Sequence, residues 1–102
     1  MNAKEYKTFQ QFYPYYLTEH CNSVCRTLHF IGTTLVMGTL LVFLTIRAYH
    51  LLWVPPLIGY SFAWVGHFVF EKNRPATFKY PWYSLKADFV MSWQLLTGKL
   101  NF

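Results

Sequence analysis

The sequence predicts an all-α integral membrane protein: an antiparallel transmembrane helical hairpin flanked by N- and C-terminal amphipathic interfacial helices. Three observations carry that reading. Of 102 residues, 54% are apolar and only 13% charged, about half the charged share of an ordinary soluble domain. Thr27–Ile46 runs for twenty residues without Lys, Arg, Asp or Glu, enough to cross a bilayer. A second apolar run, Leu57–Phe70, follows a proline pair. The length suits a single membrane domain, residues 1–102.

The first element is an aromatic-rich amphipathic helix over residues 3–20. Tyr6, Phe9, Phe12, Tyr13, Tyr16 and Leu17 recur at spacings of three and four, with Lys4, Lys7, Gln10 and Gln11 between them. Such a helix lies flat in the interface, and Pro14 is expected to kink or restart it. Met1–Gln11 lacks the apolar core of a cleavable signal, so insertion is expected to rely on the internal segments. Asn22 or Ser23 then offers an N-cap for the first transmembrane helix, residues 23–47, in which Gly32 and Gly38 are thin places for helix contact.

Arg47–Trp53 makes a short turn, and Pro55-Pro56 suit the first turn of a second transmembrane helix, residues 54–72. Gly59 and Ala63 give it a small-residue face for packing on the first. Asn73 and Pro75 end it, and a loop follows over residues 73–83. Ser84 is expected to cap a last amphipathic or re-entrant helix, residues 84–98, with Leu85, Phe89, Trp93 and Leu96 on one stripe.

The net charge of +5 comes from dispersed Lys and Arg. That excludes the dense basic stripe of a nucleic-acid binder and fits attraction to anionic headgroups. Three basic residues precede the first span, one lies in the turn and five follow the second. The positive-inside rule then puts both termini in the cytoplasm. Cys21 and Cys25 are four apart and read as two small buried thiols, too few for a zinc site on their own.

The hairpin sorts the four histidines. His29 lies three residues inside Arg26, and His67 four residues inside Glu71, so both imidazoles sit about one turn below the same surface. His50, in the turn, is excluded from any site they share. His20 would lie about 13 Å from His29 along a continuous helix; it can join only if the chain breaks near Cys21–Ser23. A single histidine near a helix end is more often a satisfied polar residue than a ligand. Two at matched depth on paired helices raise the case for a site. His20, His29, His67 and Glu71 are ligand types for non-haem iron or another divalent metal, with Arg26 able to grip a carboxylate. Glu71 can equally orient His67 or pair with Lys72 or Arg74.

Three stretches carry a family resemblance: Phe12-Tyr13-Pro14-Tyr15-Tyr16-Leu17-Thr18-Glu19-His20-Cys21-Asn22, then Cys25-Arg26-Thr27-Leu28-His29-Phe30-Ile31-Gly32-Thr33, and Gly66-His67 through Glu71-Lys72-Asn73-Arg74-Pro75-Ala76-Thr77. They resemble the Mpo-type membrane family, 2-hydroxy fatty acid dioxygenase-like and formerly a domain of unknown function, in its compact bacterial-type form. The resemblance implies an Fe(II)-dependent α-oxidation, in which a 2-hydroxy long-chain fatty acid and O2 give the one-carbon-shorter acid and CO2. It implies His20, His29 and His67 as metal ligands, and helical spacing makes Arg26 and Glu71 the expected catalytic residues beside them. Arg26, Asn22 and Arg74 are the expected substrate contacts. The bilayer and, for so short a chain, a homodimer are the expected surroundings, in an inner membrane if bacterial or the ER membrane if eukaryotic.

Two other readings compete. One is a non-catalytic lipid-binding or assembly subunit; the other is a bis-His haem protein with His29 and His67 as axial ligands. The histidine boxes of di-iron membrane hydroxylases are missing.

Overall fold

Helix caps written into the sequence divide the chain. The computed structural model describes residues 6–74 and 79–102, and these are helical with no strand among them. Expectations for residues 3–5 and for Pro75–Thr77 lie outside the described residues. The helices are α1 (Phe9–Thr18), α2 (Ser23–Thr45), α3 (Val54–Val65) and α4 (Pro81–Thr97). A 3-10 turn, Tyr49–Leu51, joins α2 to α3, and α3 continues directly into a π-helical turn, Gly66–Glu71.

Thr8 caps α1, its hydroxyl accepting from the Gln11 N–H at 3.2 Å. Pro14 lies inside α1, which does not restart there. Asn22 caps α2: its side-chain oxygen accepts from the N–H groups of Val24 and Cys25, at 2.8 and 3.2 Å, and so satisfies two donors that have no partner within the helix. α2 ends in a Schellman turn. Arg47 takes the left-handed conformation, φ 58°, while the Ala48 N–H reaches the Phe43 carbonyl at 2.8 Å and the Arg47 N–H reaches Leu44 at 3.3 Å. Pro55 and Pro56 occupy the first turn of α3, where a missing N–H leaves no bond unmade.

α2 is the central helix; α3 packs on one side of it and α4 on another, with α1 against α4. The α2–α3 pair is antiparallel, as its contacts show. A Cβ on Gly32 would lie 2.8 Å from Phe62 Cβ, one on Gly59 2.9 Å from Val36 Cγ2, and one on Gly66 2.9 Å from Cys25 Sγ. The seam is closed by backbone approach, which only glycine permits there. Gly38 has nothing within 4 Å of its Cβ position and does not serve this seam.

Phe12 and Tyr16 of α1 form a buried core with Ala87, Met91 and Leu95 of α4. α4 carries the expected stripe of Leu85, Phe89, Trp93 and Leu96 on its outer side, and its inner face is Ser84, Ala87, Met91, Ser92 and Leu95. Ser84 is not the expected cap: the helix starts at Pro81, and Ser84 lies buried within its first turn. Cys21 is exposed and Cys25 buried, because the chain breaks between them and they do not share a helical face.

One described helix, Ser23–Thr45, is long and apolar enough to cross a membrane by length and composition, with a mean hydropathy of 1.8 and 11% of its apolar window buried. Large side chains such as Leu41, Leu57 and Val69 stand outward from α2, α3 and the π turn.

The seam makes a paired prediction. Gly32→Ala should destabilise the fold by roughly 1–3 kcal/mol through overpacking against Phe62. Gly38→Ala should be neutral or stabilising by up to about 1 kcal/mol. Unfolding of both variants in detergent measures the difference.

Candidate metal centre

Each of three histidines is delivered by a different backbone device. His20 occupies the three-residue break between α1 and the Asn22 cap. Its carbonyl accepts from Arg26 Nε at 2.6 Å, so the first turn of α2 holds the break in place. His29 sits on α2, one turn beyond Cys25. His67 sits in the π turn, a wide turn that often marks functional sites. The turn closes at Lys72, φ 58°, with the Asn73 N–H on the His67 carbonyl at 3.0 Å.

The rings converge. Centroids of His20 and His29 are 4.3 Å apart, His20 and His67 4.4 Å, and His29 and His67 5.0 Å, each pair edge-on. All three side chains are buried. One donor atom from each, together with Cys25 Sγ, fits within a 4.8 Å group. Gly66 makes this possible, because any side chain there would push Cys25 away.

Every ring is oriented by an oxygen on Nδ1. His20 Nδ1 donates to the Tyr16 carbonyl at 2.7 Å. His29 Nδ1 faces Asp88 Oδ1 at 3.3 Å. His67 Nδ1 faces Asn73 Oδ1 at 2.7 Å, and the Asn73 amide is itself oriented by donating to the Glu19 carbonyl at 3.2 Å. Oxygens of these kinds accept, so each Nδ1 carries a hydrogen, and Nε2 is the atom that each ring can offer a metal. Nε2 of His20 and of His29 is buried with no protein partner. Burial, then the neighbouring His29 and His67, hold the His20 imidazole well below its ordinary pKa, in the neutral form a metal needs.

This donor set fits a divalent cation: convergent lone pairs, with partners behind them of the kind that orient metal-bound imidazoles. It does not fit haem between His29 and His67, because His20 stands against both rings where the porphyrin would pass.

The other expected site residues are placed differently. Glu71 lies outside the four-donor group; its carboxylate accepts from the Asn22 N–H. The Asn22 side chain is taken up in capping α2. Both therefore brace the break against the π turn. Arg26 uses Nε for the His20 carbonyl and Nη1 for Asn101, the latter at 2.7 Å. Arg74 follows the π turn. His50 is in the 3-10 turn beyond the far end of α2, more than about 24 Å of helical rise from His29.

Sequence reasoning missed Asp88, Asn73, Tyr16 and Cys25 as members of this centre. Asp88 also accepts from the Tyr16 hydroxyl, which burial and the Asp88 carboxylate keep protonated by raising its pKa well above the ordinary value. Two signals were available: Asp88 is among only four acidic residues in the chain, and Cys25 lies one helical turn before His29.

A family model described as 2-hydroxy-palmitic acid dioxygenase Mpo1-like matches residues 6–100. No curated protein and no solved structure matches the chain.

Removing a group behind a ligand should weaken metal binding without abolishing it. Asn73→Ala and Asp88→Ala should each lower divalent-metal affinity about 10–100-fold, measured by chelator competition. Val69→Ala, on the outward face, should leave it unchanged.

Proposed function

The chain belongs to the 2-hydroxy-palmitic acid dioxygenase Mpo1-like family, and from that premise we propose that it is a membrane-embedded, Fe(II)-dependent 2-hydroxy fatty acid dioxygenase. The observation that carries this reading is the convergence of His20, His29 and His67, with Nδ1 of each engaged and their lone pairs facing one another. Three imidazole nitrogen donors suit iron that must keep positions open for substrate and O2.

The reaction is RCH(OH)COOH + O2 → RCOOH + CO2 + H2O. The 2-carbon rises to the carboxyl level and the old carboxyl leaves as CO2, a four-electron oxidation that matches full reduction of O2. No external reductant is required. Iron, when bound, supplies Lewis acidity and redox activity to the 2-hydroxy acid and O2. His20, His29 and His67 hold it, and their burial keeps bulk water away. Asp88 holds the Nδ1 hydrogen of His29, and Asn73 that of His67. We assign the substrate carboxylate to Nη2 of Arg26, with Arg74 as a second contact. Glu71 and Asn22 act as positioning residues through the break at His20.

The membrane part of the proposal rests on the hairpin. A soluble core helix of α2's length would be mostly covered, yet 11% of its apolar window is buried. Outward apolar side chains extend along α3 and the π turn as well, a surface that lipid would solvate. Both termini are then cytoplasmic by the distribution of basic residues, and the centre sits just inside that surface.

Cys25 favours one competing reading. Three histidines and a thiolate would complete a closed tetrahedral site, the pattern of a structural zinc centre in a non-catalytic subunit. Cobalt substitution separates the two: the dioxygenase reading predicts no sulfur-to-cobalt charge-transfer band, and the closed-site reading requires one.

Protein loaded with Fe(II) under anaerobic conditions should consume O2 when 2-hydroxypalmitate is added, releasing one CO2 for each O2. His67→Ala should lose both bound iron and O2 uptake. Retained uptake by that variant would sink the site assignment.

A further inference from the structure

A groove of about 270 Å³ begins at His29, one member of the histidine centre, and runs between α2, α3 and α4. His29 and Asp88 line one end. Beyond them come Thr33 and Val36 of α2 and Ala63 and Pro56 of α3, with Leu85 and Phe89 of α4 forming a wall. The antiparallel register gives the direction. His29 to Val36 is seven residues, about 10 Å of rise, and His67 back to Pro56 is eleven residues, about 16 Å. Charge and metal-ligating chemistry therefore sit at the head, and apolar lining fills the length.

We propose that this groove holds the alkyl chain of the 2-hydroxy acid, which passes His29 with its carboxylate beyond the groove toward Arg26 and its methyl end toward Val36 and Pro56. The inference rests on the dioxygenase reading and deepens it, by naming the surface that reads chain length. Its lining matches an amphiphile, polar at one end only. The groove shares His29 with the metal centre, so a chain lying in it starts beside the reacting carbons. Leu85 and Phe89 are exposed on α4, so the wall faces the surroundings of the hairpin and a lipid-derived acid can enter sideways.

Ala63 is small and lies four residues, about 6 Å of rise, from His67; Ala63→Phe would fill the groove there while leaving every metal donor in place. Iron content should equal that of the parent protein, confirming the fold. kcat/KM for 2-hydroxyhexadecanoate should fall about tenfold or more, from the loss of a few buried methylenes. For 2-hydroxyoctanoate it should change less than about twofold. If Ala63→Phe binds no iron, Thr33→Leu on the facing helix serves the same test. A second readout needs no turnover. A 2-hydroxy acid with a diazirine at its terminal carbon should label residues near Val36 and Pro56, and excess 2-hydroxyhexadecanoate should suppress the labelling.

Equal loss for both chain lengths, or labelling confined to outward positions such as Leu41, would overturn the groove assignment and leave the dioxygenase reading intact. Labelling that excess phospholipid suppresses and the free acid does not would make the groove a lipid site, which also overturns it. No O2 uptake by the parent protein with either acid would overturn the dioxygenase reading itself.

Discussion

Three imidazole rings, each held at Nδ1 by an oxygen, bring a donor atom apiece to within 4.8 Å of one another, and the rest of the molecule is arranged to keep them there. A buried acceptor without a donor costs about 1–3 kcal/mol, and His20 and His29 each carry one. Lone pairs of one kind cannot satisfy each other. A cation at their meeting point removes that cost for all of them together, so metal binding and stability should be coupled in this fold. Nothing in an ordinary apolar core would select such an arrangement.

The surrounding bonds read as bracing for that point. Asn22 starts α2 and is tied through its N–H to Glu71 at the end of the π turn. Asn73 reaches His67 with its oxygen and the Glu19 carbonyl with its nitrogen. Arg26 holds the His20 carbonyl. Two breaks in helical regularity, the turn at His20 and the π turn at His67, are thus joined to each other as well as to α2. Asp88 adds α4, and through Tyr16 it adds α1. Gly66 lets the π turn close onto Cys25. The aromatic core of α1 and α4 has its place here too, since it fixes the height of Tyr16 and Asp88 beside the rings.

Periodicity and capping made part of this legible beforehand. Helical residues, the paired apolar runs and the common depth of His29 and His67 follow from local pattern and from counting along helices. The conditional statement about His20 also came from geometry: nine residues on a straight helix would separate it from His29, and the break it needs lies at the Asn22 cap. What could not be read was contact across 50 or more residues. Asp88 carries no local mark of pairing with His29, and Glu71 looked like a ligand because it shares a helix with His67. The stripe of Leu85, Phe89, Trp93 and Leu96 on α4 could be read from spacing, but that a mixed face of Ser84, Ala87 and Met91 packs inside could not. In a chain whose exterior is itself apolar, hydrophobicity loses its power to tell inside from outside.

The most direct measurement is X-ray absorption at the iron K-edge of the Fe(II)-loaded protein. A first shell containing three imidazole rings, with no sulfur scatterer, is the predicted result. Fewer than three imidazoles, or a first shell containing sulfur from Cys25, would contradict the three-histidine open centre on which the account depends.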